Sequence, residues 1–186
     1  MPDMKRVGVL LVALAMTGCS GGGSTTPEAS TMASSATPSV SKSVSPSEDP
    51  LYLEAVEVYK KLLAEERKLM LAGGADELPQ AMGALLMDPA RAAMQRTYAA
   101  SKRTGIRQAA APESRITWHP NPGVSQEGSI TSLQSCEDAR KVPMLYEGSE
   151  LSKGDLVNRT VFFKRAPSGS LVVVSLTAKV GTKCAF

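Results

Sequence analysis

The chain has 186 residues, of which 42% are hydrophobic and only 4% aromatic, and its formal net charge is +3. This length suits one domain plus a linker, and the low aromatic content predicts a core of mainly aliphatic side chains. The near balance of charges argues against nucleic acid as a partner, because nucleic-acid binding requires a clustered basic face.

The first 18 residues have the pattern of a secretory signal peptide. Lys5 and Arg6 form a positively charged start, Val7–Met16 is an unbroken apolar run, and Thr17 and Gly18 lead to Cys19. An apolar run of this length is too short to cross a bilayer stably as a mature helix. We therefore expect residues 1–18 to be removed on export.

A cysteine at the cleavage point resembles the lipobox of bacterial lipoproteins, although Met16 stands where leucine is usual. The resemblance implies that the Cys19 thiol is diacylated, for example with palmitate. Two acyl chains hold a protein stably on a membrane. We expect a lipid anchor on the extracytoplasmic face of the cell membrane. The alternatives are an ordinary signal peptide with a chance cysteine, or a short anchor that is never cleaved.

Residues 19–50 have the composition of a disordered linker. The segment is rich in serine, threonine and proline, contains Gly21-Gly22-Gly23, and has no Leu, Ile, Phe, Tyr or Trp. Such a segment cannot bury enough apolar surface to offset its ordering entropy. As a flexible coil it would hold the following domain, residues 51–186, roughly 30 Å from the membrane.

The first half of this domain has helical periodicity. Asp49 and Pro50 form a cap followed by a favoured first helical residue, and Gly73-Gly74 would end a helix of about 22 residues. Its apolar stripe consists of Tyr52, Val56, Tyr59, Leu62, Leu63, Leu69 and Met70.

Two further helices are predicted after Gly74. The first covers about residues 76–87, and the second opens at Asp88-Pro89 and runs to Thr104, with Gly105 as its end. Because its apolar residues are alanine and methionine, the second helix is expected to pack closely or to lie partly exposed.

The second half of the domain has the pattern of strands and turns. Ala166-Pro167-Ser168-Gly169 joins the two longest strands as a hairpin. In the last strand we expect the even-numbered residues, from Val172 to Val180, to face the helices. The predicted strands are Ser114–His119, Gly128–Cys136, Met144–Tyr146, Asp155–Arg165 and Ser170–Val180.

The cysteine count agrees with export. With Cys19 acylated, Cys136 and Cys184 remain as an even pair, for which a disulfide is the default in an oxidising compartment. The alternative is two buried free thiols. No CxxC motif is present and His119 is the single histidine, so neither a metal site nor a cofactor is expected.

Helices followed by an antiparallel meander define an α+β fold, with N-terminal helices packed on a curved sheet. The order of elements resembles the nuclear transport factor two-like cone fold, shared with SnoaL-like and ketosteroid-isomerase-like proteins, and more narrowly small secreted actinobacterial lipoproteins of that fold. The residues that carry the resemblance are Gly73-Gly74, Gly105, Ser135-Cys136-Glu137-Asp138, Phe162-Phe163-Lys164-Arg165, Ser168-Gly169, Val172–Leu176 and Cys184.

The sequence departs from this pattern at two places. Leu171 stands where tryptophan is common, and Glu147–Asp155 is a long polar segment. The resemblance implies a cavity between the sheet and the helices, but one fold of this kind serves many functions.

An enzyme of this fold would need an acid or base in the cavity. Each candidate has a structural explanation as well, such as core packing for the tyrosines and turn formation for the aspartates. No pair forms a recognisable dyad by spacing, and phosphate-loop, GxSxG, HExxH and EF-hand motifs are absent from the sequence. The candidates are Tyr59, Tyr98, His119, Asp138 and Asp155.

The sequence therefore predicts a non-catalytic module of the cell envelope that binds a small apolar ligand or another envelope protein. The alternative is a cone-fold isomerase or dehydratase-like enzyme with a cavity acid or base. A third possibility is a purely structural or regulatory lipoprotein with no ligand pocket.

Overall fold

The computed structural model describes residues 48–126 and 128–185. The predicted signal peptide, Cys19 and the predicted linker up to residue 47 lie outside the described residues. Among the described helices, none is both long enough and apolar enough to cross a membrane.

Helix α1, Pro50–Ala72, begins and ends where the sequence predicts. The Asp49 carboxylate accepts a hydrogen bond from the Leu51 backbone N–H at 2.9 Å, and Pro50 occupies the first turn. Gly73 ends the helix in the left-handed conformation, with φ of 80°, which glycine adopts without a steric cost. The apolar stripe of α1 is buried against the rest of the domain.

Two more helices follow, α2 at Gln80–Gly83 and α3 at Ala90–Thr104. Gly105 ends α3 in the left-handed conformation, as predicted. Asp88 lies just before α3, and its carboxylate accepts a hydrogen bond from the Ala92 backbone N–H at 3.3 Å. Ala90, Met94 and Tyr98 form the buried side of α3.

The remaining elements form two antiparallel sheets. One sheet has the strand order β2-β3-β6-β7, and the other has the order β1-β4-β5. The fold is therefore α+β, with helices preceding the sheets, as predicted. The strands are β1 Arg107–Gln108, β2 Arg115–Pro120, β3 Thr131–Asp138, β4 Pro143–Tyr146, β5 Ser149–Lys153, β6 Leu156–Arg165 and β7 Leu171–Gly181.

Strand β5 lies in the polar segment that the sequence analysis did not assign to a strand. Leu145 pairs with Glu150 and Pro143 pairs with Lys153, so β4 and β5 form a hairpin. All five β5 residues are exposed. A strand with no buried face lacks the alternation of apolar and polar residues on which sequence prediction depends.

The predicted inner face of β7 is wrong for the first half of the strand. Leu171 and Val173 belong to the core beneath the helices, whereas Leu176 packs against that core farther along. Phe162 pairs with Ser175 and Phe163 with Val173, which leaves Val174 as an extra residue. This β-bulge shifts the alternation by one residue, so odd positions face inward before it and even positions after it.

The predicted second helix, at about residues 76–87, is also wrong in length, because only Gln80–Gly83 is helical. The backbone beyond it pairs with β7. The Val173 N–H donates to the Leu85 carbonyl at 2.9 Å, and the Met87 N–H donates to the Val173 carbonyl at 2.8 Å. Tertiary pairing with a strand edge therefore replaces the helix that local periodicity predicts.

Candidate functional site

A cluster of charged side chains lies between α1 and the inner face of the four-stranded sheet. Arg159, in the middle of β6, donates to Glu66 of α1 at 2.8 Å and to Glu137 of β3 at 3.1 Å. The side chains of Arg159, Glu137 and Glu66 are 18%, 14% and 9% exposed. One guanidinium therefore connects the long helix to two neighbouring strands within a largely buried environment.

Three hydroxyl groups surround this charged cluster. The Tyr59 hydroxyl and Ser135 Oγ are 2.7 Å apart and both are buried. Ser135 is the cross-strand neighbour of Arg159. Tyr98 of α3 is buried too, and the charge of Glu66 acts on its phenol. The sheet thus places Ser135 beside Arg159, and two helices add a tyrosine each.

The electrostatics keep Arg159 charged and both phenols protonated. Burial alone lowers the pKa of Arg159, but the negative charge of Glu66, with that of Glu137, outweighs it and raises the pKa. Burial raises the pKa of Tyr59 and Tyr98, and the charge of Glu66 raises both further. At neutral pH these phenols are therefore hydrogen-bonding groups and not bases.

Packing around the cluster limits what it can do chemically. The centre of the domain is filled by side chains that are almost completely buried, including Leu62, Met82 and Phe163. Both glutamates already accept from Arg159. Among the described residues, Arg159 Nε is buried with no hydrogen-bond partner. The arrangement fixes α1 on the sheet, and it offers no base for proton abstraction from a substrate in an open cavity.

The five residues considered as catalytic candidates do not come together. Tyr59 and Tyr98 lie in the interior, whereas His119 and Asp155 are exposed. Asp138 accepts two hydrogen bonds from the Arg140 guanidinium, at 2.8 and 2.7 Å. These bonds lower the pKa of Asp138 to about 2. Asp138, the last residue of β3, is therefore ionised at neutral pH.

The charged cluster contains three residues that were not among the candidates predicted from the sequence: Glu66, Glu137 and Arg159. A signal for Glu66 was present, since it lies seven residues after Tyr59 and four after Leu62, on the apolar stripe of α1. An acidic residue in such a stripe requires a buried partner. No local pattern identifies Arg159 as that partner, because the pairing depends on how α1 crosses the sheet.

The predicted disulfide between Cys136 and Cys184 is present, with a Cα–Cα distance of 5.5 Å. It fixes the C-terminal tail on the outer face of the sheet, away from the helices. Asn158 reinforces this attachment by donating to the Lys183 carbonyl at 3.1 Å and accepting from the Ala185 N–H at 2.8 Å. The tail therefore forms a wall beside the outer face.

A depression of about 280 Å³ lies next to this wall. The side chains of Gln134, Thr160 and Thr177 form one row across three strands. In the described part of the chain, these three groups and the Lys179 ammonium make no hydrogen bond to the protein, so they are available to a ligand. The lining residues are Gln134, Ser135, Asn158, Arg159, Thr160, Thr177, Ala178, Lys179 and Ala185.

No protein-family model and no curated protein matches this chain. The described residues contain no group of three or more His, Cys, Asp or Glu side chains placed to hold a metal ion.

Proposed function

We propose that this protein is a membrane-tethered extracytoplasmic lipoprotein whose folded domain is a non-catalytic binding module of the cell envelope. The tether is a diacylated Cys19 followed by the linker of residues 19–50. The Cys136–Cys184 bridge supports the proposed location, because disulfides persist in oxidising compartments outside the cytoplasm. The packing of α1 across a bulged four-stranded sheet supports a cone-like architecture.

The observation that carries the binding function is the depression on the outer face. It combines a size near that of a small ligand pocket with polar side chains that have no partners within the described protein. Its amide, hydroxyl and ammonium groups favour a small polar ligand over the apolar ligand expected from the sequence. The interior, where an apolar ligand would bind, is filled by side chains.

An enzyme of the isomerase or dehydratase type is the second candidate, and the buried charged cluster is the observation in its favour. Two carboxylates, an arginine and two phenols lie within one small volume. Against it, Arg159 engages both carboxylates, and the raised pKa values of Tyr59 and Tyr98 prevent them from acting as bases at neutral pH. Binding therefore has the stronger support.

Replacing Cys19 with alanine is expected to release the protein from the membrane. After detergent phase separation of cells that export the protein, we expect the natural chain in the detergent phase and Cys19→Ala in the aqueous phase or the medium. The variant should also lose metabolic labelling with palmitate. Cys184→Ala serves as the control, because it removes a cysteine without removing the acylated one, and its membrane association should not change.

If the natural chain incorporated no palmitate and Cys19→Ala remained in the membrane fraction after an alkaline wash, the lipid anchor would be excluded. The protein would then be held by its uncleaved apolar segment or by another membrane component.

Filling the depression is expected to abolish ligand binding. Native mass spectrometry of the exported, unreduced chain should show an additional small polar species, which Thr160→Trp should remove because the indole occupies the depression. Thr117→Trp, on the same face but outside the lining, should keep it. A bare protein in all three samples, or equal loss in both variants, would contradict the assignment of this site.

A further inference from the structure

A segment around α3 concentrates positive charge. Residues 89–112 contain five arginines and lysines and no aspartate or glutamate, although the whole chain has 21 basic and 18 acidic residues. The net charge of the whole chain is therefore near neutral, although positive charge is concentrated in this segment. The five are Arg91, Arg96, Lys102, Arg103 and Arg107.

Three of the four basic residues of α1, all except Lys61, differ from those of this segment. Lys60, Arg67 and Lys68 each form an ion pair with a glutamate, at 2.6 to 2.9 Å. Arg91 donates to two backbone carbonyls. Within residues 48–126 and 128–185, the other four cations of the segment form no ion pair with a carboxylate.

These four cations, Arg96, Lys102, Arg103 and Arg107, are exposed, and we call the side of α3 that carries Arg96 and Arg103 the α3 basic face. Arg96 and Arg103 are seven residues apart, so they lie on the same side of α3. That side is opposite the buried Met94 and Tyr98. Lys102 and Arg103 occupy the last turn, where cations also favour the helix dipole. The dipole does not account for Arg96 in the middle of α3 or for Arg107 beyond its end.

We propose that the α3 basic face docks onto the anionic lipid headgroups of the membrane that carries the anchor. The inference rests on the proposed tether at Cys19. Exposed arginines and lysines are attracted to anionic headgroups by about 1 kcal/mol each, and guanidinium groups pair with phosphate in a bidentate manner. The linker predicted from the sequence, with an expected reach of roughly 30 Å, would keep the domain at high effective concentration near the surface.

Docking would therefore be weak for the free domain and strong for the tethered one. It would also orient the molecule, because a single exposed face of α3 would contact the lipid.

The test uses the mature chain with Cys19→Ser, so that no acyl chain contributes to binding. Co-sedimentation is measured with vesicles of phosphatidylcholine alone and with vesicles containing 30% phosphatidylglycerol. We expect binding to the anionic vesicles only, and loss of that binding in 0.5 M salt. Arg96→Ser/Arg103→Ser should lower the partition coefficient roughly 30-fold.

The matched control is Lys68→Ser/Arg140→Ser, which makes the same change in net charge at residues outside the basic face. It should reduce binding much less than the α3 variant. Equal binding to both vesicle types, binding that persists in high salt, or equal losses in the two variants would each overturn the inference. So would retention on an acidic protein or on DNA without any vesicle binding.

The two proposals fail in different ways. Vesicle binding by the unlipidated chain does not depend on acylation, whereas the phase separation of Cys19→Ala does not depend on α3. A tethered protein whose domain ignores anionic vesicles would contradict only the docking surface. A domain that binds vesicles but is never acylated would contradict only the tether.

Discussion

Replacing Arg159 with methionine is expected to lower the free energy of unfolding by about 3–5 kcal/mol. The substitution leaves Glu66 and Glu137 in their largely buried positions without the cation that both contact. An unpaired carboxylate in such an environment must either keep its desolvated charge or take up a proton, and both are costly. Urea unfolding followed by circular dichroism measures the loss.

Two comparisons isolate the cause. Arg165→Met removes an arginine from the same strand, but its pair with Glu54 is exposed to solvent, so the loss of stability should be much smaller. Glu66→Leu/Glu137→Leu/Arg159→Met removes all three charges and should recover most of the stability lost by Arg159→Met alone. If the triple variant were less stable than Arg159→Met, the three side chains would stabilise the fold by more than neutralising one another's buried charge.

Removing the disulfide is expected to cost about 4 kcal/mol, which is the chain-entropy value for a loop closed between cysteines 48 residues apart. The double variant Cys136→Ala/Cys184→Ala should show this loss in urea unfolding. Adding reductant should lower the stability of the natural chain by the same amount and leave that of the double variant unchanged.

The hydrogen bonds of Asn158 limit how far the loss of the disulfide changes the structure. They hold the tail independently of the cysteines, so the outer-face depression should persist at low temperature in the double variant. A loss below 1 kcal/mol would mean that the unfolded chain is already restricted without the bridge. It would contradict the entropic account of its contribution.

The disulfide and the charged cluster differ in how far the sequence alone predicts them. The disulfide followed from an even pair of cysteines in a chain with a predicted export signal. The charged cluster did not, because an isolated glutamate at position 66 and an arginine at position 159 are 93 residues apart. Their pairing exists only because α1 crosses β3 and β6 at that level.

The sequence determined the features that depend on near neighbours in the chain. Asp49 and Pro50 start α1, Gly73 and Gly105 end α1 and α3, and the long β6–β7 hairpin follows from its apolar runs and turn residues. Each depends on backbone sterics or on periodicity within a few residues. The lipid anchor at Cys19 and the linker stay predictions of this local kind.

Only the tertiary structure decided the features that depend on pairing at a distance. The bulge at Val174 exchanged the inner and outer faces of β7, and pairing with Val173 replaced the second half of the expected α2. The register of a strand is set by its partner strand. A short apolar segment that completes a sheet edge can have the same residue pattern as a short helix, so the sequence alone does not separate the two. The polar depression likewise exists because a disulfide and Asn158 hold the tail beside residues from three strands.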